Sequence, residues 1–360
     1  MSSPDPDSIV ERWQGMRGDL QTTIRETFQL PEEDEYVYAA EAFQKTLAQV
    51  QQEMATGKYR WNYRSADHQI IPVSEADITA YTSNFAATTD TAKSLKSFAA
   101  NAKKGSPRAM IASYLETRRL TTPDLRVSRS KNKISAPKNP YLDVWAWSCH
   151  ETGFVGPLDD AGYAHPDRAK LTHPMLPVLY HHFGCVCPTF ESLELIALLC
   201  RRYGKKGVLD MASGSGYWTY LLRRHRTATG PGQSDAIDTL AVDNMEAQWR
   251  YTWIRDTIQA NGVTYLKTHG GARDRVLLLV YMITRGDFTR RVLEAYAGDV
   301  IVIAGTQNAN RFTGFEGSTV EQYFAAHMPA WQLVVRVALP SFAGKDEGLF
   351  VYTRGEGTGA

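Results

Sequence analysis

The segment Val208-Leu209-Asp210-Met211-Ala212-Ser213-Gly214-Ser215-Gly216 carries the clearest chemical signal in this chain. A short apolar strand ends in an acid, and a turn of small residues opens into a helical sequence. Glycines in such a turn accept positive φ and let a ligand approach the backbone closely. In an open α/β sheet, ligands bind at the carboxyl ends of the strands, where the strand order reverses. One strand–helix–strand step later, Leu240-Ala241-Val242 ends in Asp243, a carboxylate placed to accept hydrogen bonds from both hydroxyls of a ribose. A dinucleotide site needs GxGxxG, and the third glycine is missing, because Tyr217-Trp218-Thr219 follows Gly216. Gly214-Ser215-Gly216 matches only the tail of a GxSxG hydrolase elbow, since Ser213 stands where the first glycine belongs. No lysine follows a Gly-rich loop, which disfavours phosphoryl transfer. Cys185 and Cys187 are too close for a zinc pair, and neither CxxC nor HxxxH accompanies them or Cys149-His150.

The elements that must position these residues are legible from period and punctuation. Gly207–Asp210, Leu240–Asp243, Val276–Ile283 and Asp299–Ala304 read as short buried strands without polar alternation. Helical stretches alternate with them at Tyr217–Arg226, Glu246–Ala260, Phe288–Tyr296 and 318–327, and a further strand is expected near Val263–Lys267. Such alternation implies a parallel sheet with right-handed crossovers. Trp331–Leu339 and Gly348–Thr353 have no helix between them and should form an antiparallel hairpin at one edge. The fold class is therefore α/β: a Rossmann-like parallel sheet with a C-terminal antiparallel hairpin, preceded by a mainly helical N-terminal region.

In that N-terminal region, Ile9, Trp13, Met16 and Leu20 fall three or four apart, as do Phe43, Leu47, Val50 and Met54. Pro31 and the acidic run 32–35 suit a helix start. Ser74 with Asp77 caps a helix expected over Ser74–Ala102. Residues 121–140 read as an exposed linker. Residues 141–190 combine large rings, prolines and histidines, and read as irregular backbone suited to a pocket wall or to a loop over the core. Thr189–Tyr203 reads as an amphipathic helix. The division expected is residues 1–190 as a mainly helical cap or substrate region and residues 191–355 as the ligand-binding domain. The terminal Gly-Glu-Gly-Thr-Gly-Ala reads as a flexible tail.

With 43% apolar and 22% charged residues in 360, the composition is that of a globular protein with a sizeable core. Forty basic against 39 acidic side chains leave a net charge of +1, without the basic excess of a nucleic-acid or membrane-surface binder. Four cysteines make no disulfide framework. The polar, acidic start Met1-Ser2-Ser3-Pro4-Asp5-Pro6-Asp7 lacks a signal-peptide pattern, and no stretch is long and apolar enough to span a bilayer. A cytoplasmic location with reduced thiols is the expectation.

The turn resembles the (D/E)xGxGxG pattern of class I S-adenosylmethionine (SAM) dependent methyltransferases. Asp210 sits at the acidic position, Gly214 and Gly216 at the second and third glycines, and Ala212 replaces the first. The likeness runs on through Leu277-Leu278-Leu279-Val280-Tyr281, Gly298–Gly305 and the terminal hairpin, over about the last 150 residues, under half of the chain. It implies SAM as cofactor, with Ala212, Gly214 and Gly216 wrapping the methionine moiety, Asp243 holding the ribose, and Asn244 beside the adenosine. The acid often used after strand three to bind the adenine amino group is absent from Thr268–Ala272. No (N/D)PP(Y/F) segment is present, which argues against transfer to amino groups of DNA bases or glutamine and leaves oxygen, sulfur or carbon acceptors.

Methyl transfer from a sulfonium needs in-line positioning, and a general base where the acceptor loses a proton. His181 and His182 precede the helix leading into the first strand, a region that borders the active site in this family, and are the leading base candidates. His150, His173 and His269 are weaker ones. Tyr281, at the end of the fourth strand, would face the sulfonium or the acceptor. The reading is a SAM-dependent methyltransferase acting on a small-molecule metabolite. The alternatives are the same fold catalysing a non-methylating cyclisation or rearrangement, or a non-catalytic SAM-fold interaction protein.

Overall fold

The computed structural model describes residues 4–33, 37–40, 43–65, 67–128, 136–158, 173–230, 233–246, 250–282, 286–307, 315 and 317–355. The terminal tail, Ile283 and part of the linker expected at 121–140 lie outside them. At the centre is a seven-stranded sheet: β1 (Gly207–Met211), β2 (Thr239–Asp243), β3 (Ile258–Gln259), β4 (Arg275–Val280), β5 (Val300–Thr306), β6 (Trp331–Ala338) and β7 (Glu347–Arg354). Its order is β6-β7-β5-β4-β1-β2-β3. Pairs among β1 to β5 are parallel, whereas β7 runs antiparallel to both β5 and β6. The α/β class, the parallel sheet and the terminal hairpin are as the sequence implied. The order turns back between β1 and β4, so the turn after β1 lies at the switch point.

Successive residues of the central strands face opposite layers, because side chains alternate across a strand. Val208, Leu278 and Val302 join one buried cluster, while Leu209, Leu277 and Ile301 join another. The second layer is closed by the helices Gly262–Thr268, Phe288–Ala295 and Val320–His327. The first is closed by the helices Phe190–Arg202 and Tyr217–Arg224, and its cluster continues without a break into Ile9, Leu20, Tyr81, Ile111 and Trp145. Two indole bonds fasten this region: Trp145 Nε1 donates to the Ser341 carbonyl at 2.9 Å, and Trp13 Nε1 to Asp143 Oδ2 at 2.6 Å.

The N-terminal helices are Pro6–Arg12, Leu20–Phe28, Leu47–Ala55, Glu75–Ser83, Thr91–Ala100 and Pro107–Arg118. Each begins at a side chain that accepts a backbone N–H of the first turn: Asp5, Asp19, Thr46, Ser74, Asp90 and Ser106. The single helix expected from Ser74 to Ala102 is therefore two, because Asp90 caps a new start after the break at Asn84. The helix expected after Pro31 is not formed. A short antiparallel hairpin, Val37–Ala40 with Phe43–Thr46, follows instead.

Residues 141–190 differ most from expectation. The described part contains two helices, Pro140–Thr152 and Met175–His182, where irregular backbone was read. Pro140 sits at the first helical position, where its missing N–H costs nothing, and Asn139 caps the helix. Among residues 250–257 the expected helix is absent. The N–H groups of Tyr251 and Trp253 donate to the carbonyls of His181 and Ser215, so the backbone bonds go to neighbouring segments. The third strand is Ile258–Gln259, and the segment expected to be that strand, Val263–Lys267, lies within a helix capped by Asn261. No helix among the described residues is long and apolar enough to cross a membrane.

Candidate functional site

The turn after β1 is held by the end of β2. Asp243 Oδ2 accepts the Gly214 N–H at 2.9 Å, and Oδ1 accepts the Met245 N–H at 2.7 Å. Each carboxylate oxygen retains a further lone pair. Ala212, Gly214 and Gly216 all have positive φ, at 55°, 58° and 74°. At Ala212 a left-handed conformation is imposed on a residue with a Cβ, at a typical cost of about 1–2 kcal/mol, in the slot where the family pattern has glycine. The two glycines serve different neighbours. A Cβ at Gly214 would lie 2.4 Å from Arg250 Nη1, and one at Gly216 2.5 Å from Ile254 Cγ1.

A cavity of about 240 Å³ opens between this turn, Asp243 and Asn244, the Ala260–Gly262 stretch after β3, and Val280–Met282 after β4. Asp210, Ala212, Gly214, Asp243, Asn244 and Tyr281 all line it. Gly216 is one step behind the wall, against Ile254. Asn244 is exposed, and its Oδ1 accepts the Glu246 N–H at 3.1 Å. With β3 at Ile258–Gln259, the residues that follow the third strand into the cavity are Ala260 and Asn261, not Thr268–Ala272.

Asp210 is fully buried. Thr219 Oγ1 donates to its Oδ2 at 2.7 Å, while Oδ1 has no partner. Burial pushes its carboxyl up to about 7, with the Thr219 bond opposing and the nearby Asp243 charge adding. Ser213 Oγ, also on the cavity wall, is a second buried polar atom without a partner. An unpaired acceptor and a hydroxyl on the wall suit a ligand that brings an ammonium and a carboxylate. The Asp243 carboxylate across the cavity suits a diol. The residues present thus fit both the methionyl and the ribose ends of SAM.

Tyr281 closes the cavity at the end of β4 with φ 49°. Its hydroxyl accepts a hydrogen bond from Lys345 Nζ at 2.7 Å. Burial raises the phenol well above its ordinary range. Lys345 leads a buried Lys345-Asp346-Glu347 run at the start of β7. This run escapes sequence reading, because three adjacent charges in a hairpin loop look like a solvated turn. Arg250 was missed too, since it falls in a segment expected to be helical.

The histidine pair is elsewhere. Neither His181 nor His182 lines the cavity. His182 Nε2 is hydrogen-bonded to the Tyr38 hydroxyl at 2.7 Å, and its ring lies 4.0 Å from Phe28. Burial, with His181 beside it, holds it well below the ordinary histidine range. The His181 ring meets Tyr38 edge-on at 5.2 Å. His173 is buried beside Phe342, and burial together with the Lys345 charge lowers it to about 3. His150 pairs with Glu75 at 2.6 Å, and His269 stacks on Tyr265 at 4.0 Å. Cys149, Cys185, Cys187 and Cys200 are free thiols, and no metal-binding cluster occurs among the described residues.

The strand order, the antiparallel β7 and the Gly-rich turn at the switch point decide the fold. The C-terminal half is a Rossmann-like α/β sheet closed by an antiparallel terminal hairpin. No protein-family model matches the chain, and no curated protein matches it. Solved structures do. An O-methyltransferase from Bacillus cereus in complex with SAH is 13% identical, over 45% of this chain and 80% of its own, at a TM-score of 0.28. The methyltransferase domain of bacterial CtHen1-CN is 12% identical over 45% and 96%, at 0.29. A provisionally assigned O-methyltransferase from Klebsiella pneumoniae is 15% identical over 46% and 81%, at 0.28. Likeness at that level does not bear on this chain's substrate.

Proposed function

We propose that this protein is a SAM-dependent methyltransferase acting on a small-molecule metabolite with an oxygen, sulfur or carbon acceptor. The observation that carries the reading is the buried, unpaired Oδ1 of Asp210, set in a cavity whose other wall is the Asp243 carboxylate. Asp210 and Ser213 would hold the methionyl end and Asp243 the ribose. The cofactor, when bound, supplies a methyl group on a sulfonium. The protein's own residues then have to bind, orient and exclude water. Tyr281 lines the cavity, and its phenol oxygen accepts a hydrogen bond from Lys345. The positioning role, and any transfer of the acceptor's proton, is assigned to this pair. The histidines are not assigned it, because His182 is committed to Tyr38 and packed on Phe28.

Calorimetric titration with SAM and S-adenosylhomocysteine tests the cofactor site. Both should bind saturably, and Asp243→Ala should weaken binding at least about tenfold, the worth of charge-assisted hydrogen bonds. Circular dichroism should show the variant folded. Absence of binding to either ligand would remove the methyltransferase reading. Release of S-adenosylhomocysteine with small-molecule acceptors tests turnover, and Tyr281→Phe should lower kcat while leaving SAM affinity unchanged.

A further inference from the structure

Beside the cofactor cavity lies a second set of buried polar groups that the proposed methyl-transfer machinery leaves unused. Thr306, at the end of β5, and Glu347, at the start of β7, are directly paired across the two strands, so their side chains share a face. Both are wholly buried, and Gln307 nearly so. Thr306 Oγ1, Gln307 Oε1 and Glu347 Oε1 have no hydrogen-bond partner. Gln307 Nε2 donates to Asp346 Oδ1 at 3.0 Å, which settles that its oxygen is the free end. Gly348 leaves room for that amide, since a Cβ there would lie 3.1 Å from Gln307 Cδ.

These vacant groups are hydrogen-bond acceptors, two of them without a proton to give when Glu347 is ionised. Each buried acceptor left unpaired is unfavourable. A bound group that brings several donors would satisfy them together. The charges agree: Lys345, Asp346 and Glu347 are all buried, one cation against two carboxylates. Lys345 already donates to Tyr281, and Asp346 accepts from Tyr114 and Gln307. Glu347 is the carboxylate with an oxygen to spare. Its surroundings are aromatic. The Phe342 N–H donates to Glu347 Oε2 at 3.3 Å. The Phe342 ring lies 6.3 Å from Tyr141 and 5.8 Å from His173. The Glu347 charge also reaches Tyr81 and Tyr141.

We propose that Glu347, with Gln307 and Thr306, is a recognition site for the primary ammonium group of a small aromatic amine. The Lys345–Tyr281 hydrogen bond joins this site to the cofactor cavity, so the amine is the handle by which the methyl acceptor is held, not the atom methylated. Only that last clause rests on the methyltransferase reading. Burial, partly opposed by Lys345, pushes the Glu347 carboxyl up to about 8, so an ammonium ion binding at neutral pH displaces a proton.

Titration of the full chain with benzylamine, and with benzyl alcohol as neutral counterpart, tests this with and without SAM. Benzylamine should bind at least about tenfold more tightly, as expected for a hydrogen bond to a buried charge. Repeating the titration in buffers of different ionisation enthalpy should show proton release. Glu347→Gln should abolish both the preference and the proton release and leave SAM affinity unchanged. Equal affinity for the two probes, binding of neither, or a preference surviving in Glu347→Gln would overturn the proposal. If that variant does not fold, the wild-type comparison and proton release decide alone. SAM binding without amine preference defeats this site only, and amine preference without SAM binding defeats only the cofactor reading.

Discussion

Asp210 shows most directly how one side chain connects fold and cofactor. Its carboxyl is raised to about 7 by burial, against about 4 in an unfolded chain. Between those values the folded state holds a proton that the unfolded state has released. Stability is then fully present below about pH 4 and is lost as pH rises towards 7. The charges acting on it are Asp243, which raises it, and Arg223, which lowers it. Asp210→Asn removes the titrating group while keeping a partner for Thr219. The stability difference between variant and wild type, measured by urea unfolding without ligand, should shift towards the variant as pH rises from about 4 to 7. Taking that difference cancels the opposite contribution of His182, which is held neutral in the fold. A difference that stays flat over this range would refute the assignment. Binding of a cationic ligand at Asp210 should also become stronger as pH rises through the same window.

At the scale of elements, the turn after β1 makes a sharper prediction than the helices do. Gly216 has φ 74°, and a Cβ there would lie 2.5 Å from Ile254 Cγ1. Gly216→Ala adds the left-handed penalty of about 1–2 kcal/mol to overpacking of about 1–3 kcal/mol. A loss of at least about 2 kcal/mol in urea unfolding is expected, and a neutral variant would show that the packing is wrong. The turn was legible because strand, small residues and helix are consecutive in sequence, and so was the acid on β2. The capped helices were legible for the same local reason: Thr189 and Ser192 form a reciprocal cap that marks the start of Phe190–Arg202. The segment from Tyr251 to Ile254 was not. It falls in the helix expected over Glu246–Ala260, yet the N–H groups of Tyr251 and Trp253 bond to the carbonyls of His181 and Ser215, which are remote in sequence. Tertiary bonds displaced a local preference there, and the third strand moved with them. The Lys345-Asp346-Glu347 run was illegible for a related reason. Its burial depends on the N-terminal helices and on Gln307, and nothing adjacent to it announces that.

At the scale of the molecule, the question is whether the helical N-terminal region and the sheet are separable. The sequence pattern suggests a division into residues 1–190 and 191–355, but one buried cluster contains Ile9, Tyr81 and Trp145 together with Val208, Trp253 and Val351. Polar ties cross the same division. Tyr220 donates to Asp7 at 2.8 Å, Trp145 to the Ser341 carbonyl, and Arg119 pairs with the buried Glu191. Removing the N-terminal region would expose Tyr217, Tyr220, Trp253 and Phe342, which are all but inaccessible in the whole chain. Aromatic side chains of that kind bury roughly 150–250 Å² each, so the exposed area would exceed the largest apolar patch of a typical soluble monomer. The whole chain should therefore unfold in urea as one cooperative unit, with tryptophan fluorescence and far-UV circular dichroism changing together. Trp13, Trp145, Trp253 and Trp331 report from both regions, so the test needs no label. Two separated transitions would mean that the sheet holds its structure without the cap. Losing that wall would hydrate Glu347 and Lys345 and return the Glu347 carboxyl from about 8 towards its ordinary range.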